Sequence, residues 1–294
     1  MLKRAYFDAH HRHKWQCFRI RLVDKGLLTP IKFMQDKDLM QFPFQTMKQY
    51  EKFNAYMLKH GMYGLIGKFD EFYVDFSFME TKGGYIFSKN ADGSYNENDM
   101  GLVSDEALQG LQEIVDYTKK YVPKSILTMG DWSSINQFFC DGKAAAIITG
   151  PWALSILSKC GVNLGYAPFP KSFDGKPLKS FLSAKGYSIP KVSKHPKIAK
   201  EFLELVTRPR YALYRYSATN ELPPLKHLFL ASLINHDPFA NALITQFKHT
   251  VEMPTQKKFG KFWKGLDKAL NKVLVENAPL ESTFKEAFES LNQE

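Results

Sequence analysis

The run Lys143 to Thr149, reading K-A-A-A-I-I-T, followed at once by Gly150, Pro151 and Trp152, constrains the fold of this chain more than any other stretch. It is short, apolar and β-branched towards its end, which predicts a buried strand rather than a helix. Gly150 lets the backbone turn, and Pro151 suits the first turn of a helix continuing through Leu157. Trp152 therefore stands where the carboxyl end of a strand becomes the start of a helix, the edge at which open α/β sheets bind ligands. An indole in that place offers a flat apolar platform beside unpaired backbone N–H groups, suited to a ligand with one apolar face and many hydroxyls. The same indole could instead close the strand–helix corner as a core residue, and the motif alone leaves both readings open.

Strands alternating with helices along the rest of the chain argue an α/β fold. Thr46-Met47-Lys48-Gln49 forms a capping box that opens a helix with Met47, Tyr50, Phe53 and Met57 on its apolar side and a stop at Gly61. Met62 to Ile66 reads as a strand, and Asp70-Glu71 starts a helix carrying Phe76 and Met79. Gly83-Gly84 ends it, and Tyr85-Ile86-Phe87 with Asp92-Gly93 and Tyr95 predicts a β-hairpin on an Asp-Gly turn. Ser104 caps a helix that Pro123 ends, and another precedes Cys140. Asn163 to Ala167 is a further short strand. Beyond Gly186 helices dominate: Pro196–Val206, one from Asp237-Pro238 to His249, a long one bearing Phe259, Phe262, Trp263, Leu266 and Val273, and a last one over Leu280–Leu291. Residues 1–30 show no clean period of either kind and stand apart.

At 294 residues, with 44% hydrophobic and 24% charged residues, the chain has the composition of a globular protein with ample core. No apolar run approaches the ~20 residues that span a bilayer. The amino terminus shows no apolar signal-peptide core, so the chain as written is expected to stay in the cytoplasm. The net charge of +10 is concentrated in the first segment, where Lys3, Arg4, Arg12, Lys14, Arg19, Arg21 and Lys25 face only Asp8 and Asp24. Interleaved Phe7, Trp15 and Phe18 would permit nucleic-acid contact, but no groove-reading helix, RNP motif or zinc module accompanies them. Cys17, Cys140 and Cys160 form an odd, widely spaced set that suggests neither a disulfide framework nor a zinc site, and Cys140 and Cys160 are expected to be ordinary packing residues. His10, His11 and His13 lack a further ligand at convincing spacing, so no metal is expected.

No dinucleotide or phosphate-binding glycine loop, no H-E-x-x-H and no nucleophile elbow occurs. The acidic residues at helix starts (Asp70, Glu71, Asp105, Glu106) are explained by the helix dipole. A glycosidase reading would have only the aromatic share of 14% behind it. The residues themselves describe a binding protein with aromatic platforms.

Gly150-Pro151-Trp152, taken with Gly83-Gly84-Tyr85-Ile86-Phe87 upstream and Met253-Pro254 and Phe262-Trp263 downstream, resembles the maltose/maltodextrin-binding proteins of ABC importers. Gln35 to Leu39, Thr46 to Tyr50, Phe181 to Gly186 and Ala199 to Leu203 fit the same register. The resemblance implies a periplasmic-binding-protein-like receptor of two α/β lobes. It would bind malto-oligosaccharide, work as a monomer with the membrane subunits of an ABC importer outside the cytoplasm, catalyse nothing, and need no cofactor or nucleic acid. By match, Tyr73, Trp152 and Trp263 would be stacking platforms, Met253 their neighbour and Glu71 a hydroxyl-binding carboxylate. Phe72 stands where family members carry Pro.

Family members also begin with roughly 100 residues, on ordinary domain sizing, ahead of the region that matches. The resemblance therefore implies a truncated form with impaired binding. Residues 1–30 would be a poorly ordered basic segment outside the match, 31–186 the first part of a largely complete carboxyl-terminal lobe, 187–235 a remnant of an incomplete amino-terminal lobe, and 236–294 the return. The alternative is a non-functional fragment, or an intracellular basic protein that contacts nucleic acid.

Overall fold

The computed structural model describes residues 13–14, 17–21, 44–128, 131–184 and 186–293. In chain order the elements are strands β1 (His13–Lys14) and β2 (Cys17–Arg21), helix α1 (Met47–Leu58), β3 (Tyr63–Ile66), α2 (Phe72–Thr81), β4 (Ser88–Lys89) and β5 (Tyr95–Asn96). Helices α3 (Asp105–Tyr121), α4 (Lys124–Thr128) and α5 (Trp132–Cys140) lead to β6 (Ala144–Thr149), a 3-10 turn at Pro151–Ala153 and α6 (Leu154–Leu157). Then come β7 (Leu164–Ala167), β8 (Ser180–Ala184), α7 (Pro196–Val206), α8 (Pro209–Thr219), α9 (Ser232–Asn235), α10 (Pro238–Gln246), β9 (Thr250–Glu252), α11 (Lys257–Val275) and α12 (Leu280–Gln293).

The opening run of the sequence is the hub. Every residue of β6 is buried, and β6 sits inside a four-stranded sheet of order β3-β6-β2-β7. Strand β3 pairs with it in parallel, as the connection through helices requires, and β2 runs antiparallel between β6 and β7. A second sheet of order β1-β8-β9 stands beside it. The short segment 13–21 thus places one strand in each sheet. Cys17–Arg21, inside the basic segment 1–30, forms strand β2, and its Cys-Phe-Arg-Ile-Arg alternation supplies the period of two that a sheet needs. His10 and His11, the other basic and aromatic residues of the first segment, and Gln35–Leu39 lie outside the described residues; of His13 only the backbone is described.

Edge strand β3 is satisfied by a side chain. Asn54, fully buried on α1, accepts from the N–H groups of Gly64 (2.6 Å) and Leu65 (3.1 Å) and donates to the Leu65 carbonyl at 3.1 Å. The Tyr117 hydroxyl accepts from the same amide and donates to Leu65 O at 3.0 Å. One asparagine therefore ties α1, β3 and α3 together. The capping box at Thr46 forms as the sequence predicts, with Gln49 N–H donating to Thr46 Oγ1 and Thr46 N–H to Gln49 Oε1. Asp237 caps α10 by accepting from Phe239 N–H at 2.8 Å. The Asp92-Gly93 hairpin is shorter than expected: only Ser88–Lys89 pairs with Tyr95–Asn96, while Ile86 and Phe87 bury themselves in the core.

The main core gathers residues from Phe44 to Phe181 and from Phe259 to Phe284, and a second, smaller cluster joins Tyr216, Leu222, Ile234, Phe239, Ala240 and Leu243. Tyr166 of β7 and Phe239 of α10 meet edge to face at 5.4 Å where that second cluster touches the sheet. Helix α7 buries none of its residues. No helix among the described residues is long and apolar enough to cross a membrane.

Cys140 and Cys160 are not independent packing residues: they form a disulfide, with Cα atoms 5.3 Å apart and a sequence separation of 20. Helix α5 ends beside the turn that follows α6, a proximity created by β6 running out and the chain folding back, which spacing alone does not display. Closing a loop of this size removes unfolded-state entropy worth about 3 kcal/mol. The double variant Cys140→Ser/Cys160→Ser should be destabilised by about that amount in urea unfolding, and reductant should reproduce the loss in the native chain. Asn54→Ala strands two buried N–H groups and should cost about 2–4 kcal/mol in the same assay.

Candidate binding site

Helix α2 begins at Phe72, with Glu71 as its N-cap in an extended conformation that leaves the carboxylate free of capping duty. The cap acceptor comes from far away: Asp267 Oδ1 on α11 takes the Phe72 N–H at 2.8 Å. A proline at position 72 would have no N–H to give, so this bond needs a residue other than proline there. Glu71 instead accepts the indole N–H of Trp132, at the head of α5, at 3.1 Å. Trp132 meets Trp152 edge to face, with centroids 5.5 Å apart and planes at 84°.

Tyr73, one residue into α2 beyond Phe72, is the centre of a group of rings. It lies 5.8 Å from Phe181 of β8 in a stacked arrangement, 5.5 Å from Trp263 of α11 and 6.3 Å from Trp152. Trp263 touches Phe72, Phe181 and Phe259 in turn. Trp152 is the most open of the group at 39% exposure. Its ring folds back over Gly150: a Cβ there would stand 2.0 Å from the indole. The glycine that turns the chain is thus also the seat of the platform.

The structure brings together four of the five residues singled out from sequence: Glu71, Tyr73, Trp152 and Trp263. Met253 lies alongside, just after β9, where its N–H donates to Leu182 O at 2.9 Å, one residue from Phe181. Two participants were not foreseen. Trp132 follows the N-cap Asp131, whose carboxylate accepts from Ser133 and Ser134, and a side chain at a helix's first position is free to point away from it. Phe181 belongs to a strand that the sequence shows only as a change of texture.

Four carboxyl groups crowd the start of α2. Lys68, 2% exposed, pairs with Asp70 at 2.5 Å. Burial raises the Asp70 carboxyl, opposed by that lysine. Glu71 is pushed up to about 7, chiefly by burial, with Lys68 opposing and the charges of Asp70 and Asp267 adding to it. Asp267 is raised by burial, with the Phe72 N–H opposing. Asp75, fully buried, is raised well above the ordinary carboxyl value by burial and then by its three acidic neighbours, and neither of its oxygens is hydrogen-bonded among the described residues. Tyr73 rises to about 12 through burial and then the charge of Glu71. The result is an apolar shelf bordered by carboxyl groups that can accept, and when protonated donate, hydrogen bonds to hydroxyls.

Between the ordinary carboxyl value and about 7, folded Glu71 holds a proton that the unfolded chain has released. Its contribution to stability therefore falls as pH rises through that window and levels off above it. Glu71→Gln keeps an acceptor for Trp132 and cannot ionise. It should melt with the native chain near pH 4.5 and about 2–4 °C above it at pH 8, read by circular dichroism.

Sequence and structure comparisons bear on the family and the fold. The profile of the family described as bacterial extracellular solute-binding protein matches residues 26–242. The galactooligosaccharide-binding protein of Bacillus subtilis is 29% identical over 289 residues, covering 97% of this chain and 68% of its own length. The maltodextrin-binding protein MdxE of the same organism is 29% identical over 242 residues, 79% of this chain. This chain spans 57% of that relative's length. Among solved structures, a cyclo/maltodextrin-binding protein complexed with maltotetraose superposes with a TM-score of 0.79 at 27% identity, over 97% of this chain and 69% of the other. MalX from Streptococcus pneumoniae in complex with maltopentaose gives a TM-score of 0.80 at 22% identity, over 97% and 72%, a likeness of fold. The α/β, periplasmic-binding-protein-like fold follows from these superpositions. The chain belongs to the bacterial extracellular solute-binding proteins, a family that binds solutes and is not one of enzymes.

Proposed function

We propose that this chain binds a neutral oligosaccharide of the maltodextrin class as the solute-binding component of an ABC sugar importer, working as a monomer outside the cytoplasm. The observation that carries the reading is the shelf itself. Trp152, Tyr73 and Trp263 stand together on a rigid core with Glu71 at their border. Ring faces stack on the apolar faces of pyranoses, and carboxyl oxygens hold the hydroxyls. The names of the relatives point to the same class of ligand, galacto-oligosaccharide and maltodextrin. The disulfide suits an oxidising location. This chain spans 68% and 57% of the lengths of those two relatives, and the shelf is read as one wall of a binding cleft.

Titration of the chain with maltose, maltotriose, maltotetraose and a galacto-oligosaccharide, followed by tryptophan fluorescence, tests the reading. Saturable quenching or enhancement is expected. Trp152→Ala should weaken binding by about 0.5–1.5 kcal/mol, roughly 2- to 10-fold, at unchanged circular dichroism. A flat response to every sugar by folded native chain would overturn the proposal.

A further inference from the structure

We propose that the outward face of α11 is a docking surface for an anionic phospholipid membrane, held there by a row of lysines. Helix α11 carries Lys257, Lys261, Lys264, Lys268 and Lys272, all of them exposed. At 3.6 residues per turn, that spacing places them within about 80° of the helix circumference, in a line about 22 Å long. The opposite face holds the buried residues Phe262, Leu266, Ala269, Leu270 and Val273. Trp263 and Asp267 lie on one flank, turned to the shelf, and Gly265 lies on the other, against Leu291 of α12. The row therefore points away from the core and includes no residue of the shelf.

Nothing in the fold asks for this row. Lysines four apart on one helix face repel each other, as Lys257 and Lys261, Lys264 and Lys268, and Lys268 and Lys272 must. A lysine in the first turn also opposes the helix dipole, and the first turn of α11 has no acidic residue to offset it. The one acid of the helix, Asp267, accepts the Phe72 N–H. Lys257, Lys264, Lys268 and Lys272 take part in no salt bridge among the described residues. A local rule broken without a packing gain marks a face shaped by something outside the fold. A layer of anionic headgroups would turn each of these repulsions into attraction.

The chemistry of the row selects among anionic partners. It contains no arginine and no aromatic ring, the residues that anchor protein interfaces, whose cores are depleted in lysine. It is a ridge rather than a groove, and it offers no ring on which a nucleic-acid base could stack. Lysine ammonium groups are point charges without a fixed fork, suited to headgroup phosphates that rearrange around them. The choice of a membrane rests on the importer reading above, since such a component works beside one.

The test is cosedimentation of the native chain with vesicles of phosphatidylglycerol and phosphatidylcholine in equal parts, and with vesicles of phosphatidylcholine alone. Binding is expected to the anionic vesicles only, and should fall as salt is raised. Lys264→Gln/Lys268→Gln/Lys272→Gln should bind about 10- to 100-fold more weakly. Lys159→Gln/Lys191→Gln/Lys194→Gln removes the same charge from exposed positions elsewhere and should stay within about 3-fold of the native chain. Acetylation of the native chain, read by mass spectrometry, needs no variant to fold. Anionic vesicles should slow it at Lys264, Lys268 and Lys272 and leave Lys159, Lys191 and Lys194 unchanged. Absence of binding, equal losses in the two variants, or no protection of the row would overturn the proposal, as would tighter binding of a DNA duplex than of the anionic vesicles. Maltotetraose titration of the same native protein reads the oligosaccharide proposal separately. A flat sugar response beside intact docking sinks that proposal alone, and lost docking beside normal sugar binding sinks the membrane surface alone.

Discussion

A single hydrogen bond, from the Phe72 N–H to Asp267, joins residues 195 positions apart and fixes how α2 starts against α11. The first turn of any helix has N–H groups without intrahelical partners, and burial makes an unfilled one costly. Because Asp267 fills this place, Glu71 is released from capping itself and turns to Trp132. Tyr73, one residue beyond Phe72, is delivered among the rings of β8 and α11. The border and the floor of the shelf are both consequences of where one carboxylate sits.

That arrangement has an electrostatic counterpart. Gathering Asp70, Glu71, Asp75 and Asp267 around a helix start would be prohibitive if all were ionised in a partly dry setting. The positive end of α2 and the buried Lys68 relieve part of the repulsion. Burial raises all four carboxyls, and for Glu71, Asp75 and Asp267 the charges of acidic neighbours add to it. The start of α2 therefore gives up folding stability at neutral pH to hold polar groups beside an apolar shelf.

Local signals carried the fold far. The Thr46 capping box, the Asp92-Gly93 turn, the Asp237-Pro238 helix start and the buried β6 run all appear where the sequence puts them, because each is decided by a few adjacent residues. The capacity of Trp152, Tyr73 and Trp263 to meet was legible only through resemblance, since each lies on a different element. What escaped the sequence depended on distant neighbours. Phe18 and Ile20 alternate with Arg19 and Arg21 in a segment too short and too basic to read as a strand, until β6 and β7 flank it. Cys140 finds Cys160 because β6 runs between them. Trp132 looks like any residue at a helix head, and its partner Glu71 is 61 positions away.

The disulfide and the folded-back indole share a consequence for the thermodynamics of recognition. Trp152, after β6, lies within the stretch that the bond between Cys140 and Cys160 closes, and Trp132, at the head of the helix that ends at Cys140, meets it edge to face. Gly150 leaves room for one ring to close over the backbone, and the other ring is held by Glu71. Side chains that already occupy one rotamer lose little freedom when a ligand settles on them, and ordering a mobile side chain at an interface costs about 0.5–1.5 kcal/mol. The shelf is therefore ordered by folding, in advance of any encounter, and weak stacking contacts can register as affinity instead of being spent on holding the rings still.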